Sequence, residues 1–360
     1  MYLKRLQNEL FPTYKKIRNI FFIKLLLRFI SVIYLILYKS RALLYRVGIL
    51  RTYKLPIKVI SIGNLTCGGT GKTPLTIELA KHLTKSGLKV AVLSRGYKRK
   101  FDKRENVLVR DTEEILADYE QSGDESYLIA KKLTKSIVLS GTDRIKASNS
   151  AYKLGADVAI IDDGYQYLKL YRDKNILILN GKDPFDNRFL LPAGELRELP
   201  ESIRRATSIV LSNPTDPEIK SSLISEINKY SPDIPIVEMY YSVKKLRGIN
   251  LIKSIDISQL NNKMVIAFSG IGSPKSFEEN LTANGLKILK HFIYNDHHDY
   301  ALTELSDVID FALKNNIEDI ITTEKDTVKI ENMCEGAPVT FWETSLEINW
   351  NVENPFELLV

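Results

Sequence analysis

Cysteine is scarce in this sequence: Cys67 and Cys334 are the two cysteines among its 360 residues. Two cysteines cannot build a disulfide framework, and no C-x-x-C motif or cysteine–histidine cluster suggests a zinc site. Internal repeats and low-complexity segments are also missing. The chain is therefore expected to be an ordinary globular protein of a reducing, cytosolic compartment, with about two domains for its length.

A net positive charge is missing from most of the chain, although the formal net charge of the whole is +7. Residues 1–58 carry 13 Lys and Arg and a single acidic residue, so the remainder has a net charge of −5. No later basic patch with interleaved aromatic residues occurs, which argues against a general nucleic-acid-binding surface. No obligate protein partner is evident either.

The basic N-terminal region contains an apolar run, residues 20–38, about as long as a bilayer crossing. Lys24, Arg28 and Ser31 interrupt it on one helical face, and no small-residue cleavage site of a signal peptide follows. We predict a membrane-associated helix that either spans once or lies in the interface beside anionic lipids; a buried amphipathic helix is the alternative. The flanking basic residues are Lys15, Lys16, Arg18, Lys39, Arg41, Arg46 and Arg51.

Beyond residue 57, short β-branched runs alternate with helix-like stretches, which is typical of a mainly parallel, doubly covered sheet. A break containing Pro232 and Pro235 precedes a second, shorter series. We therefore predict an α/β protein with three parts: a membrane-anchoring segment (1–56), a P-loop nucleotide-binding domain (57–234) and a smaller C-terminal α/β domain with linker strands (235–360).

A phosphate-binding loop is predicted at "SIGNLTCGGTGKTP" (61–74), although the opening glycine of G-x-x-x-x-G-K-[ST] is missing. Backbone N–H groups, not one consensus letter, cradle phosphates, and the following helix adds its dipole. Lys72 would reach the β- and γ-phosphates. An N-K-x-D guanine motif is absent, so ATP is favoured. The predicted nucleotide-binding residues are Thr66, Cys67, Gly68, Gly69, Thr70, Gly71, Lys72 and Thr73.

A magnesium site is predicted where "VAIIDDGYQ" (158–166) ends a buried strand beside this loop. Asp162 and Asp163 point to opposite faces, so one of the two is expected to contact the ion together with Thr73. Glu125 of "GDE" is a further candidate ligand. A lysine at position 67, as in some dimeric ATPases, would act across a dimer; Cys67 argues against that mechanism.

The combination of motifs resembles the tetraacyldisaccharide 4'-kinase family of lipid A biosynthesis, and the loop's Thr66 is that family's form. The matching stretches cover most of the chain from residue 57 to about 330. They are "GNLTCGGTGKTP" (63–74), "SRGY" (94–97), "GDE" (123–125), "DDGYQ" with "RD" (162–173), "PF" with "LLPAGELRE" (184–198), "FSGIGSPKSF" (268–277), "NDHHDY" (295–300) and "TTEKD" (322–326).

This resemblance implies two α/β/α sandwich domains and transfer of the ATP γ-phosphoryl group to the 4'-hydroxyl of a tetraacylated glucosamine disaccharide 1-phosphate. It places the protein at the cytoplasmic face of a Gram-negative inner membrane. It maps a catalytic aspartate onto Asp124 and its partner histidine onto His297. Lys72, which would reach the transferred phosphate from the loop, is the third predicted catalytic residue. From the residues alone, Asp124 could equally be a helix N-cap and His297 a polar loop residue.

Cations and polar groups for the lipid and the nucleotide are also expected, since Arg binds phosphate in a bidentate manner. The candidates are Asn64, Arg95, Tyr97, Arg144, Arg172 and Arg197. The chain departs from the family at Tyr167, where histidine is usual, and at Asp186, where glycine is frequent. Two other readings stay open: a membrane-attached regulatory P-loop ATPase and a lipid-binding protein with a vestigial nucleotide site.

Overall fold

The computed structural model describes residues 21–100, 105–214 and 216–360. The predicted headgroup-binding Lys15, Lys16 and Arg18, and the first residue of the apolar run, lie outside this part of the chain. The described strands are β1 (Lys58–Asn64), β2 (Val90–Ser94), β3 (Val107–Arg110), β4 (Ile137–Ser140), β5 (Val158–Asp162), β6 (Lys174–Asn180), β7 (Ser208–Ser212), β8 (Ile236–Gly248), β9 (Ser254–Asp256), β10 (Met264–Ser269), β11 (Lys287–Ile293), β12 (Asp319–Thr323) and β13 (Thr340–Trp350).

The α-helices of the described residues are α1 (Phe21–Arg46), α2 (Lys72–Lys85), α3 (Tyr119–Ser122), α4 (Asp124–Lys132), α5 (Arg144–Lys153), α6 (Pro217–Tyr230), α7 (Pro274–Ala283), α8 (Leu302–Lys314), α9 (Glu324–Ile330) and α10 (Pro355–Leu359). The strands form one sheet in the order β11-β10-β12-β13-β8-β7-β6-β1-β5-β2-β4-β3, with β9 paired to β8. The predicted α/β class with a mainly parallel sheet is confirmed.

The first half of the sheet is parallel except for its edge strand β3, which runs antiparallel to β4. Strand β1 lies between β5 and β6, and both pairings are parallel. The segment Val158–Asp162 is fully buried, as expected for a strand with helices on either side. Since the carboxyl ends of parallel strands lie at one edge of the sheet, the C-terminal residues of β1 and β5 lie next to each other at that edge.

Strand β8 joins the two halves of the sheet. It runs parallel to β7 and antiparallel to the long strand β13, so one sheet continues through the molecule. The chain then returns to the first half at its end: Leu359 is fully buried in the core that α2 covers. The division at residues 234 and 235 falls immediately before β8 and stays a prediction.

Helix α1 is fixed to the body along the face that carries Ser31. The Ser31 hydroxyl donates to the Leu190 carbonyl at 2.6 Å and accepts from the Ala193 backbone N–H at 3.2 Å. One turn later the Tyr34 hydroxyl donates to the Arg197 carbonyl at 2.9 Å. Of the predicted polar face, Ser31 is buried against the body and the Arg28 guanidinium lies 4.8 Å from the Phe189 ring centroid, whereas Lys24 is exposed. Large apolar side chains on the other faces, such as Phe29 and Leu37, are exposed.

Candidate active site

The phosphate loop begins in an extended conformation at the end of β1. Thr66 forms an antiparallel bridge with Leu196, and the Cys67 backbone N–H donates to the Glu195 carbonyl at 2.8 Å. A bridge residue needs no left-handed backbone angle, so threonine fits where the general pattern has glycine. The missing opening glycine therefore follows from the strand-like start of this loop.

Glycine is required at the end of the loop instead. Gly71 precedes α2 with a φ of 88°, which is the left-handed region. A Cβ at this position would lie 1.5 Å from the hydroxyl of Tyr241 on β8. That hydroxyl donates to the Gly71 carbonyl at 3.2 Å. The joining strand thus supports the phosphate loop directly.

Asp162 and Asp163 face different partners. Asp162 accepts hydrogen bonds from the hydroxyls of Thr73 at 3.2 Å and Thr76 at 3.0 Å, both on α2. Asp163, with a left-handed φ of 54°, receives a bidentate pair of hydrogen bonds from Arg197 at 2.9 and 3.0 Å. The Lys72 ammonium lies 3.8 Å from Asp163. The structure therefore brings Asp162, not Asp163, to the loop's threonine.

The electrostatics of the two carboxylates differ as strongly as their contacts. Burial, with the neighbouring charges of Glu125 and Asp163, raises the pKa of Asp162 to about 6. Burial acts in the same direction on Asp163, but the hydrogen bonds of Arg197 and the charge of Lys72 hold its pKa well below the usual range. Of the two carboxylates, Asp163 is paired with cationic side chains and Asp162 is not. Binding of a cation beside Asp162 would therefore stabilise its ionised form the most.

A magnesium ion fits this donor set. Mg²⁺ is usually bound through one or two protein oxygens, with phosphates and water filling the remaining positions. The Asp162 carboxylate and the Thr73 hydroxyl are such a pair. Within the described ranges no three His, Cys, Asp or Glu side chains gather into a site that would hold a metal alone. The predicted ligand set Thr73, Asp162, Asp163 and Glu125 stays a prediction, and the geometry favours its first two members.

Asp162→Asn is expected to stabilise the protein in buffer containing EDTA, although it removes a predicted metal ligand. The raised pKa means that ionised Asp162 destabilises the folded chain above about pH 6, and this cost disappears as the pH falls toward the unfolded value. We expect the free energy of unfolding to rise by about 1–3 kcal/mol at pH 8 and by less at pH 5. Denaturant titration measures both values.

The control for this substitution is Asp183→Asn, at an exposed position. It should leave stability within about 0.5 kcal/mol at both pH values, as is usual for surface changes. A loss of stability on Asp162→Asn at pH 8, or a gain equal at the two pH values, would contradict the assigned electrostatic cost.

Two of the candidate substrate-binding arginines have structural partners. Arg144 is buried and donates to the carbonyls of Ser94, Gly141 and Asp162. Burial lowers its pKa to about 10. Arg172 donates to backbone carbonyls that include Tyr165, at 3.0 Å. Because these guanidinium groups are engaged with the backbone, the structure favours a structural role for both over binding of substrate.

Asn64 and Arg197 form one unit at the end of β1. The Asn64 amide donates to the Thr70 hydroxyl at 2.9 Å, and its oxygen accepts from Arg197. Both residues therefore hold the phosphate loop against Asp163. Arg95 and Tyr97 remain exposed and accessible to a ligand, and the Tyr97 ring centroid lies 4.7 Å from that of His297.

Asp124 and His297 meet across the two halves of the sheet. The imidazole Nδ1 lies 2.7 Å from Asp124 Oδ2, and the two side chains are 11% and 4% exposed. Asp124 does not cap its helix: the N-cap residue of α4 is Gly123, and no side chain caps it. Burial opposes ionisation of Asp124, yet the hydrogen bond from His297 and the charge of Lys329 hold its pKa well below the usual range. His297 has a φ of 60°, a strained backbone of the kind found at functional sites.

The loop that follows β10 connects this pair with the phosphate loop. A side chain at Gly272 would come within 3.3 Å of the Gly69 backbone nitrogen and 3.4 Å of Asp296 Oδ2. The His297 backbone N–H donates to the Gly270 carbonyl at 3.1 Å. The phosphate loop and the Asp124–His297 pair therefore border one site.

Helix α9 supplies two site residues that the sequence interpretation missed, Lys325 and Lys329. The stretch 319–326 reads as a strand, but β12 ends at Thr323 and the helix starts at Glu324. The Thr323 hydroxyl accepts from the Asp326 backbone N–H and donates to its carboxylate. This [ST]-x-x-[DE] pattern is a helix-start signal, and its recognition would have predicted the helix.

Comparison with known proteins identifies a single family. A family model described as "Tetraacyldisaccharide-1-P 4'-kinase" matches residues 23–359. The tetraacyldisaccharide 4'-kinase of Syntrophus aciditrophicus (strain SB) is 36% identical over 340 residues, 89% of this chain and 90% of that protein. The enzyme of that name from Halothermothrix orenii is 35% identical over 318 residues, 84% and 82% of the two chains.

A solved structure agrees with these relatives. It is the crystal structure of LpxK from Aquifex aeolicus, described as an "apo" form in complex with ATP. The two chains are 32% identical and superpose with a TM-score of 0.71, over 92% of this chain and 98% of the other. The similarity therefore extends to the fold of nearly the whole chain.

Proposed function

The chain belongs to the tetraacyldisaccharide-1-P 4'-kinase family, and from that membership we infer that its site phosphorylates a lipid. It is an ATP-dependent kinase that transfers the γ-phosphoryl group to the 4'-hydroxyl of a tetraacylated glucosamine disaccharide 1-phosphate, a step of lipid A biosynthesis. The observation that carries the reaction is the buried Asp124–His297 pair, which borders the same site as the phosphate loop.

The nucleotide would be held by the loop and the start of α2. The backbone N–H groups of residues 68–73 and the helix dipole favour a polyphosphate there. The Lys72 ammonium neutralises charge that develops on the transferred group. Thr73 and Asp162 would hold Mg²⁺, which would supply positive charge that offsets the charge of the phosphates.

The acceptor hydroxyl would be activated from the other side of the site. The Asp124 carboxylate accepts the proton as the hydroxyl attacks the γ-phosphorus, the bond from that phosphorus to the β,γ-bridging oxygen breaks, and ADP leaves. His297 orients the carboxylate through Nδ1–H. Positioning and neutralisation of charge do most of the catalysis in phosphoryl transfer, so the base adds to a reaction that the loop already favours.

Helix α1 is proposed to lie in the membrane interface instead of crossing it. By length and composition it is the one helix among the described residues that could span a membrane. Only 6% of its apolar 18-residue stretch is buried against the protein. Its contacts to the body extend from Arg28, over the Phe189 ring, to Arg41, which donates to the Gln166 carbonyl at 3.2 Å, and they include the Tyr38 hydroxyl, 2.6 Å from that of Ser202. If α1 crossed the bilayer, the polar surface of the body that is attached to it would lie in the hydrocarbon core. We place the protein on the cytoplasmic face of the inner membrane, beside anionic lipids.

Phe29→Glu and Leu37→Glu are expected to release the protein from membranes. Both side chains are exposed, 64% and 65%, on the outer face of α1. Loss of one large apolar contact with lipid costs about 1.5–3 kcal/mol, so each change should weaken partitioning about tenfold or more. Flotation with vesicles that contain anionic lipid measures this. Ile252→Glu, an exposed apolar site away from α1, is the control and should float like the wild type. If a variant that carries both Phe29→Glu and Leu37→Glu floats like the wild type, α1 does not bind the membrane through this face.

The kinase function is tested by incubating the full chain with γ-labelled ATP, Mg²⁺ and a tetraacyl disaccharide 1-phosphate in detergent. Label is expected in the lipid, at the 4'-position. Release of free phosphate without lipid labelling would instead support a membrane-attached regulatory ATPase. That alternative is not favoured, since the family and the curated relatives are kinases.

A further inference from the structure

Two lysines of α9 contact the Asp124–His297 pair from the second half of the sheet. Lys325 and Lys329 are four residues apart and so project from one face of the helix. The Lys329 ammonium lies 3.0 Å from Asp124 Oδ2, and the two side chains are 5% and 4% exposed. The Lys325 ammonium lies 3.0 Å from His297 Nε2 and 3.0 Å from Asp296 Oδ1. Each member of the pair thus has its own lysine.

The contact of Lys325 determines which imidazole nitrogen carries the proton. An ammonium group has donors and no acceptor, so Nε2 of His297 must accept from Lys325. The ring proton then sits on Nδ1, which donates to Asp124 Oδ2 at 2.7 Å. Lys325 also lies 3.4 Å from Glu125 Oε1, which fixes the direction of its approach.

The contact of Lys329 determines which oxygen of Asp124 is available. Oδ2 accepts a hydrogen bond from His297 Nδ1 and forms an ion pair with the Lys329 ammonium, which donates its hydrogen bond to the His298 carbonyl at 3.0 Å. Oδ1 accepts one hydrogen bond, from the Glu125 backbone N–H at 3.0 Å. Oδ2 is thus engaged by the hydrogen bond from His297 and by the adjacent ammonium, whereas Oδ1 retains one of its roughly two acceptor positions.

We propose that Lys325 and Lys329 are positioning residues that lock the catalytic pair, so that Oδ1 of Asp124 is the atom that receives the proton of the lipid hydroxyl. The proposal rests on the proposed kinase function. Lys329 engages Oδ2, and Lys325 fixes the tautomer of His297. Helix α9 follows β12 in the second half of the sheet, and Asp124 starts α4, which precedes β4 in the first half. The catalytic pair and its two lysines are therefore assembled when the two halves are in contact.

A second ion pair near α4 and α9 serves as a control, because it attaches the two halves of the molecule without contacting the catalytic pair. Lys131 of α4 lies 2.5 Å from Glu331, directly after α9. The Lys131–Glu331 pair joins the two halves without contacting Asp124 or His297. Its loss should weaken attachment of the helices and leave the hydrogen bonds of the catalytic pair intact.

The test compares Lys329→Met and Lys325→Met with Lys131→Met in the full chain, with lipid phosphorylation, KM for both substrates and ATP affinity as readouts. We expect kcat to fall about 10–100-fold in the first two variants, with both KM values and ATP affinity within about threefold of wild type. Lys131→Met should retain kcat. Lys329→Arg, which keeps the charge, should recover part of the loss.

The inference is overturned if kcat is retained in either Lys325→Met or Lys329→Met. It is also overturned if Lys131→Met is equally slow, if ATP affinity falls in step with kcat, or if Lys329→Arg is as slow as Lys329→Met. Lys325 is partly exposed, so its substitution serves the test even where Lys329→Met fails to fold. A wild-type protein that never labels the lipid would instead refute the proposed function.

Discussion

Asp124→Asn is expected to lower kcat for lipid phosphorylation by about 10²–10⁴-fold, the usual contribution of a positioned base. Asparagine keeps the size and an acceptor oxygen, but it cannot take a proton at neutral pH. Hydrogen bonding to His297 and the charge of Lys329 keep the native carboxylate ionised, so its basic form is present throughout the neutral range. Steady-state assays at saturating ATP and lipid measure the effect, and ATP affinity should change little.

The matched control is Asp118→Asn on the neighbouring short helix. The Asp118 carboxylate accepts from the Gln121 backbone N–H at 2.8 Å and caps α3. Asparagine is an equally good N-cap, so this variant should turn over at nearly the wild-type rate. Near-wild-type turnover of Asp124→Asn at saturating substrates would show that another group accepts the proton.

Lys72→Met is expected to lower kcat/KM by about 10²–10³-fold, because removal of one preorganised group that stabilises transition-state charge has an effect of this size. Lys72 is the first residue of α2, directly after the loop, and its ammonium lies 3.8 Å from Asp163. Unlike Asp124→Asn, this change should also weaken ATP binding, which equilibrium titration with a fluorescent nucleotide measures.

Lys81→Met is the control for Lys72→Met, because Lys81 lies on the same helix and pairs with Glu78 at the surface. It should leave both kinetic constants unchanged. If Lys72→Met keeps wild-type kcat/KM, the loop does not bind the transferred phosphoryl group, and the assignment of the nucleotide site fails.

The first half of the fold could be predicted because its signals are local. Buried strands such as Val158–Asp162 are continuous apolar runs, and a glycine-rich turn followed by G-K-T specifies a strand–loop–helix unit. The long antiparallel pair β8–β13 was not predicted as such. Its register joins Trp342 with Gly248, residues far apart in the chain, and no local pattern encodes such a pairing.

The roles of charged side chains could be predicted from the sequence less well than the fold. A sequence cannot distinguish an arginine that binds phosphate from one that binds carbonyls, as Arg144 does, because both fit the same motif. The meeting of Asp124 and His297 followed from family resemblance, since their separation of 173 residues carries no local signal. Asp186 is easier to explain afterwards: its φ of 47° is the left-handed region that the frequent glycine adopts freely and that Asp tolerates.

The central claim is that Asp124 of the first half and His297 of the second act as one base. A double-mutant cycle on kcat tests it most directly, with Asp124→Asn, His297→Gln and the double variant assayed on the tetraacyl disaccharide 1-phosphate. Because residues that act as a unit are strongly non-additive, the double variant should be no more than about threefold slower than Asp124→Asn alone. If the two losses instead multiply, Asp124 and His297 act independently and the claim is wrong.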